Sequence, residues 1–411
     1  MKIVKLSAAQ FDRFASNHKY RNYFQTSMYA NVMSKYGYRT QFLGFVNDNN
    51  KLSGATLIMY KNIFMKNKIA FAPRGFLYNY ENKEQLKELV AKLKSVLGKQ
   101  GFMLLRIDPY IPLTIRDTDG AIINFNSNGN EMIENLKSVG FEYKGKNLFF
   151  ETENPRWEAL VTLQSNLEEA FAKLDKRTRN KIRKAINSGV VVEREPNKNI
   201  NKLFQYVGKK DKRPMDFYKE MKDQFDADID IYYAKIKADN YVINSRKNYE
   251  KEVENNEQLN EIIQDINIDP SEKEQYINKK IQSDKIISSY KSNLLRATEL
   301  LKNNPDGTVI GGAMVIRFDN AAYIYTEGFD EKYRNLNPGT ILKWQMINDY
   351  TQEGFKYINL NAVVGEFEKP NKYSGLNESK FGFNSIITEY IGEFDIILNR
   401  FSYNLYQKMN K

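Results

Sequence analysis

Apolar and polar positions along this chain follow a strand-like and a helix-like rhythm, and one succession of the two occurs twice. Gly54-Ala55-Thr56-Leu57-Ile58-Met59-Tyr60 recurs as Gly312-Ala313-Met314-Val315-Ile316-Arg317-Phe318, each run reading as the start of the second strand of a hairpin. A further strand ending in Gly-Phe follows both, Ala70-Phe71-Ala72-Pro73-Arg74-Gly75-Phe76 and Tyr323-Ile324-Tyr325-Thr326-Glu327-Gly328-Phe329. Helical spacing comes next, through Leu86, Leu89, Val90, Leu93, Val96 and Leu97 in one place and Ile341 to Tyr350 in the other. A second Gly-Phe, 26 residues after the first in both, opens a last strand, Met103 to Asp108 or Lys356 to Asn361. An equal register across strand, helix and strand predicts two copies of one α/β unit with mixed sheets.

The second copy is interrupted. Its first strand (Ile229, Ile231, Tyr233) leads into Lys235 and its partner begins near Thr308, whereas the first copy turns within Asn47 to Lys51. The insertion is polar, helical in period and broken at Asp269-Pro270. Its arms run Tyr249, Val253, Asn256, Asn260, Ile263 and Ile287, Tyr290, Leu294, Ala297, Leu301, which predicts an antiparallel helical hairpin over 235–303 that projects from the second domain, loosely zipped because two asparagines fall on its seam. Before it, Leu167 to Ser188 is expected as one helix with a basic end, and Asn201 to Phe225 as more helix. The domains are drawn at 1–150 and 151–390, with 391–411 packing back on the first.

Composition narrows the chemistry. With 411 residues, 41% hydrophobic and 13% aromatic, most of the chain is expected to fold. There is no cysteine, which excludes disulfides, thiolate metal sites and a Cys nucleophile. A single histidine, His18, excludes His-rich metal sites; no metal and no cofactor is expected. No apolar run approaches about 18 residues, and Met1-Lys2-Ile3-Val4-Lys5 lacks a signal-peptide core, so a soluble, cytoplasmic protein is expected. The net charge is +11, which favours polyanionic partners. Its densest source is Lys173 to Lys184, seven cations in twelve residues with Asp175 the only acid. Lys173, Arg177, Lys181 and Lys184 are expected on one helical face, as a phosphate-binding stripe requires, with Lys176, Arg179 and Arg183 alongside.

Arg334-Asn335-Leu336-Asn337-Pro338-Gly339-Thr340, between a strand and a helix, resembles the Arg-x-x-Gly-x-Gly loop with which GNAT acyltransferases hold coenzyme A pyrophosphate. Asn337 replaces the first glycine and Pro338 follows it, which disfavours coenzyme A. A wider resemblance is carried by Phe24-Gln25-Thr26-Ser27, Ala72-Pro73-Arg74-Gly75, Lys176-Arg177-Thr178-Arg179-Asn180, Trp344-Gln345-Met346-Ile347, Lys380-Phe381-Gly382-Phe383 and Glu389-Tyr390-Ile391-Gly392-Glu393-Phe394-Asp395. In this order over nearly the whole chain they are similar to the FemABX family. The resemblance implies two GNAT-like domains with a helical arm in the second. It also implies transfer of an aminoacyl group (glycine, alanine or serine) from aminoacyl-tRNA to the stem-peptide amine of a peptidoglycan precursor, lipid II or UDP-MurNAc-pentapeptide, with tRNA as co-substrate. It leaves room for a peripheral contact with the inner membrane face and for a Fem-type partner or a homodimer. Two other readings compete: a nucleic-acid-binding adaptor without catalysis, and a GNAT-like acyltransferase with another donor.

The ester of a charged tRNA is already activated and an amine is already a nucleophile once deprotonated, so one acid–base group and one charge stabiliser suffice. By the resemblance Lys380 is the charge stabiliser, and Asp108, at the end of a first-copy strand where the second copy has Asn361, positions or deprotonates the amine. Lys35 matches a lysine that contacts precursor phosphates, and Arg74 lies in a matching motif. Arg213 and Tyr218 match an Arg and Tyr pair beside the substrate, with Phe217 at the family spacing. Tyr323 and Tyr325 are assigned opposite faces of their strand, one lining a groove, Tyr325 for preference, and the other core.

Overall fold

The computed structural model describes residues 1–64, 67–208, 213–265, 269–368 and 370–409. In it the repeated pattern folds twice into one unit. The first copy pairs Arg39–Val46, Leu52–Phe64 and Asn67–Ala72 antiparallel, crosses over through the helix Lys83–Lys99, and lays Phe102–Ile107 parallel to Asn67–Ala72. The second does the same with Ile229–Ile236, Thr308–Phe318, Ala321–Phe329, the helix Pro338–Gln352 and Tyr357–Ala362. The two helices differ in burial because their neighbours differ. Lys83–Lys99 buries one stripe, Leu86, Leu89, Val90, Leu93 and Leu97, and leaves the other face wet. Pro338–Gln352 is buried nearly all round, since the helix Lys176–Asn187 packs on it from outside through Ile182 and Ala185.

The sheets do not follow a division at residue 150. The seven-stranded sheet takes the first copy and, between Phe102–Ile107 and Glu142–Tyr143, the late strand Phe394–Ile397. The nine-stranded sheet takes the second copy, but its far edge is the hairpin Pro112–Arg116 and Ile122–Phe125, which pairs beside Ile386–Tyr390. Each half therefore lends strands to the other, and Trp157–Thr162 lies between Tyr357–Ala362 and Ile386–Tyr390.

The insertion is a helical hairpin, Ala238–Gln264 and Pro270–Asn303, with Asp269 capping the second helix and Pro270 in its first turn. Its seam is polar: Asn256 donates to Asp284 at 2.9 Å and Ser283 to Glu252 at 2.6 Å. Its base is not detachable, because Tyr241 and Ala297 are buried in the second unit's core. The stretch Leu167 to Ser188 is two helices, Leu167–Lys173 and Lys176–Asn187. Leu174 is extended, and Asp175 caps the second helix by accepting from the Thr178 amide; Lys173 is thus off the helix that carries Arg177, Lys181 and Lys184. Asn201–Val207 and Met215–Phe225 are helical as expected, while 209–212 lie outside the described residues. Among the described residues no helix is long and apolar enough to cross a membrane.

Candidate functional site

Where the two units meet, aromatic residues and methionines of both share one cluster: Tyr23, Tyr29 and Met59 from the first, Phe217, Met314 and Tyr325 from the second. A cavity of about 380 Å³ opens there, within the range of small-ligand sites. Tyr23, Tyr29 and Tyr110 line it with Arg213, Tyr323 and Tyr325, and Glu158, Asn359 and Asn361 add polar groups.

Glu158, from the strand Trp157–Thr162, is the hub of this site. Its Oε1 accepts from Arg74 Nη2 at 2.7 Å, and its Oε2 from Asn359 at 2.7 Å, Tyr390 at 2.9 Å and Tyr110 at 3.5 Å. The Arg74 guanidinium is buried at 2% exposure, beside the stacked rings of Tyr110 and Tyr390, 5.3 and 4.8 Å from their centres. It is not among the residues lining the cavity, and it holds Glu158 in place from behind. Arg74 has φ 54°, a left-handed conformation that takes it out of the strand ending at Ala72; the buried Gln25 amide locks the approach, donating to the Pro73 carbonyl at 2.7 Å and accepting from the Leu57 amide at 2.8 Å.

Asp108 is also buried behind the wall. Its Oδ1 accepts from the Arg74 amide at 2.6 Å and its Oδ2 from Asn154 at 2.8 Å, with Arg74 Nη1 at 3.7 Å. Burial pushes its carboxyl up to about 6, against the opposing pull of Arg74.

Tyr323 and Tyr325 both line the cavity. Residues two apart on a strand share a face, and the ladder also slips between Met314 and Val315, leaving Tyr325 unopposed. Asn361, at φ 69°, fastens this bulge by donating to the carbonyls of Ile324 and Tyr325 at 3.1 and 3.3 Å. Arg213 donates to the Tyr325 hydroxyl and lies over the Phe217, Tyr325 and Tyr218 rings. Tyr218 is core, 1% exposed, and Phe217 stacks on Tyr325 at 6.3 Å; neither is on the cavity wall. Lys35 is exposed at the end of the helix Ser27–Lys35, near but not on the wall that Met33 and Tyr38 form.

Lys380 is apart from this cavity. It is buried, donates from Nζ to the Ala362 carbonyl at 2.6 Å, and is held down to about 7 by burial, with Glu327 and Lys343 nearby. It therefore anchors the end of the strand that carries Asn359 and Asn361. The basic helix packs against this segment: the Asp175 amide donates to the Gly382 carbonyl at 3.0 Å, and a Cβ on Gly382 would meet Thr178 and Asp175. Of the seven cations, all but the half-buried Arg179 are exposed. Lys173 is tied to Gln164, Arg179 to the carbonyls of Ala172 and Leu174, and Arg183 to the Phe171 ring. The Arg334 to Thr340 stretch runs from the end of the 3₁₀ helix Glu331–Leu336 through the left-handed Asn337 into the first turn of the helix Pro338–Gln352, and Arg334 pairs with Glu331 at 2.6 Å.

Sequence reasoning missed Glu158. The signal available was one acid within the largely apolar strand Trp157–Thr162; alternation alone reads such an acid as facing water.

This arrangement has relatives of the same length. The chain is 24% identical over 422 residues to the lipid II:glycine glycyltransferase of Staphylococcus epidermidis, covering 100% of this chain and 96% of that one. It is also 24% identical to aminoacyltransferase FemA of Staphylococcus aureus, covering 100% and 99%. The crystal structure of FemX superposes with a TM-score of 0.72 over 98% of this chain and 99% of that one, at 19% identity. The sequence profile of the FemAB family matches residues 6–411; the chain belongs to the FemAB family.

Proposed function

We propose that the protein is an aminoacyltransferase of peptidoglycan bridge synthesis. It moves glycine, alanine or serine from aminoacyl-tRNA to the stem-peptide amine of lipid II or UDP-MurNAc-pentapeptide, on the cytoplasmic side where charged tRNA is found. The observation that carries this reading is full-length similarity to two aminoacyltransferases, one of them named for lipid II. The cavity between the two units agrees with it: a site built from both halves can hold acceptor and donor side by side, and holding the ester and the amine in contact accounts for much of the barrier reduction such a transfer needs.

The geometry supports the following roles. Asp108, whose carboxyl titrates near 6, fixes Arg74 and through it Glu158 at the acceptor end. Lys380, which burial holds down to about 7, holds the Ala362 carbonyl and in its protonated form is the cation assigned to the oxyanion. Lys176, Arg177, Lys181 and Lys184 offer exposed cations to tRNA phosphates. No cofactor is required. Reconstitution with charged tRNA pools and both acceptors tests the proposal: formation of an aminoacylated precursor supports it, while binding of tRNA without transfer favours an adaptor, and transfer from a thioester favours another donor.

A further inference from the structure

The basic helix Lys176–Asn187 carries its charge against its own dipole. Its first four residues include Lys176, Arg177 and Arg179 and no acid, although the aligned peptides of a helix disfavour cations at that end by about 0.3–1 kcal/mol each. Arg179 turns back to the carbonyls of Ala172 and Leu174, while Lys176 and Arg177 are exposed, and an anion bound to them would offset the unfavourable arrangement. Asp175, the acid beside them, is occupied by the helix cap: its Oδ1 accepts from the Thr178 amide at 2.5 Å and its Oδ2 from the Thr178 hydroxyl at 3.2 Å. Its own amide donates to the Gly382 carbonyl at 3.0 Å. Gly382 has ordinary helical angles, φ −60° and ψ −11°, so its backbone does not call for glycine. The contact does, because a Cβ there would collide with Thr178 Oγ1 and Asp175 Oδ2. Two residues before Gly382, Lys380 donates to the Ala362 carbonyl. The Ala362 amide donates to Asn361 Oδ1 at 2.6 Å, and Asn361 and Asn359 line the cavity. Lys176 and Arg177 therefore follow directly on the residue that is bonded to this loop, whereas Lys181 and Lys184 lie further along the helix.

We propose that Gly382 is a positioning residue for the donor: it seats the cap of the basic helix on the loop after Lys380, so that tRNA phosphates held by Lys176 and Arg177 stand at a fixed offset from the strand end that carries Asn359 and Asn361. Gly382 acts through Asp175 and Thr178 rather than on the substrate. This role rests on the aminoacyl-transfer reading and deepens it, since binding of the tRNA body and delivery of its ester become separable by a single methyl group.

The test is Gly382→Ala in the full chain, because alanine accepts these backbone angles and only the seat is wedged apart. Turnover is measured with aminoacyl-tRNA and with the same aminoacyl ester on a short 3′-terminal oligonucleotide that lacks the tRNA body. The variant should lose about tenfold or more in kcat with aminoacyl-tRNA, since a displacement of about 1 Å can cost about 10²-fold. Turnover of the short donor and equilibrium affinity for uncharged tRNA should each change by less than about threefold. Adding Asp175→Ser and Thr178→Ala removes both atoms that the methyl meets, leaves a hydroxyl to cap the helix, and should restore turnover of aminoacyl-tRNA to within about threefold of wild type. An equal loss with both donors would mean that the methyl damages the Lys380 loop itself, and a loss of tRNA affinity with kcat unchanged would mean that the seat serves binding alone; either overturns the positioning role. Should Gly382→Ala fail to fold, Asp175→Ala, which removes the cap and frays the first turn, must lower kcat for aminoacyl-tRNA about threefold with the short donor unaffected, and equal behaviour of the two donors overturns the role. Wild-type protein that transfers from neither donor removes the aminoacyl-transfer reading and the role with it, whereas transfer that is indifferent to Gly382→Ala removes the role and spares the reading.

Discussion

The two copies of the strand–strand–helix–strand unit carry different charges at matching places. Arg74 precedes the Gly-Phe that follows the first copy's third strand, and Glu327 holds the same place in the second copy; Asp108 stands at the end of the last strand of the first copy, and Asn361 at that of the second. Glu327 stays within its own unit, in register opposite Ala313 and paired with Lys343 of the helix that follows. Arg74 leaves its strand and reaches into the other sheet for Glu158, with Asp108 gripping its amide. One copy thus uses the position to brace itself and the other to bind the halves together at the cavity. Duplication supplied two scaffolds, and departure from the scaffold at Arg74 made the site.

If that contrast is right, the two ion pairs should differ most in what their removal does. Arg74→Met leaves two buried carboxylates without their shared cation, and such breaks cost about 3–5 kcal/mol. Lys343→Met should cost only about 1–2 kcal/mol, because the Glu327 side chain is 27% exposed and can turn to water. Denaturant unfolding of both variants measures the gap; equal losses would mean that Arg74 is no more than a second local brace.

The next test falls on the segment after Asn361. Lys380→Ala should lower turnover by roughly 10²-fold with little change in acceptor affinity, as removal of a transition-state cation does. Stability reports on the same group. Its folded value of about 7 lies below the ordinary 10.5, so the unfolded chain binds the extra proton between those values. Wild-type stability should rise with pH across that window, by up to about 1.4 kcal/mol per pH unit, and the stability it contributes is lost as pH falls through 7. Lys380→Met should remove this slope; a slope that persists in the variant would mean that another group sets it.

Much of the comparison was legible in the residues. Equal Gly-Phe spacing predicted both copies because turns and apolar periodicity are local. The same is true of the arm, whose Asp269-Pro270 break is a helix cap. What was not legible depends on partners far along the chain. Nothing within Trp157–Thr162 says that Glu158 will meet Arg74, Asn359 and Tyr390, and nothing near Ile122 says that this hairpin will edge the other sheet. Lys173 was joined to the basic helix because its charge fits the stripe, although Asp175, a capping residue three places before the Thr178 amide, already marked a break. Tyr218 was preferred by its resemblance, but packing against Phe204 and Phe217 makes it core.

A smaller effect comes from making the copies alike. Asp108→Asn gives the first copy the residue that the second has at Asn361, and acceptor KM should rise about tenfold as Arg74 loses part of its grip. The folded carboxyl, near 6 against an ordinary 3.8, contributes stability that is complete below 3.8 and lost as pH rises through 6. The variant should therefore show a flatter stability profile between pH 4 and 6. Charge reversal on the basic helix that covers only the second copy's crossover, at Arg177, Lys181 and Lys184, should lower the slope of tRNA affinity against salt by about one unit for each phosphate that is no longer neutralised. Unchanged affinity at ~150 mM salt would remove that helix from the tRNA surface.

The smallest effect should come from the feature by which the two copies differ most in length. The first copy turns within a few residues where the second inserts its arm, so the unit does not need the arm to form. Yet Tyr241 and Ala297 at the arm's base belong to the second core, while beyond them the helices meet through Asn256, Asp284, Glu252 and Ser283. These polar pairs, one of them built on the buried Ser283, hold the two helices to each other and contribute little to the body. Replacing 249–289 by a short loop, which keeps the base and removes matched lengths of both helices, should change unfolding of the body by less than about 0.5 kcal/mol while impairing use of tRNA or a partner. Removing 238–303 entirely should cost several kcal/mol, because a buried tyrosine and the apolar seat around it go with it. If the trimmed protein unfolded as readily as the fully deleted one, the outer arm would have to brace the second unit, and the simple turn of the first copy would not be its equivalent.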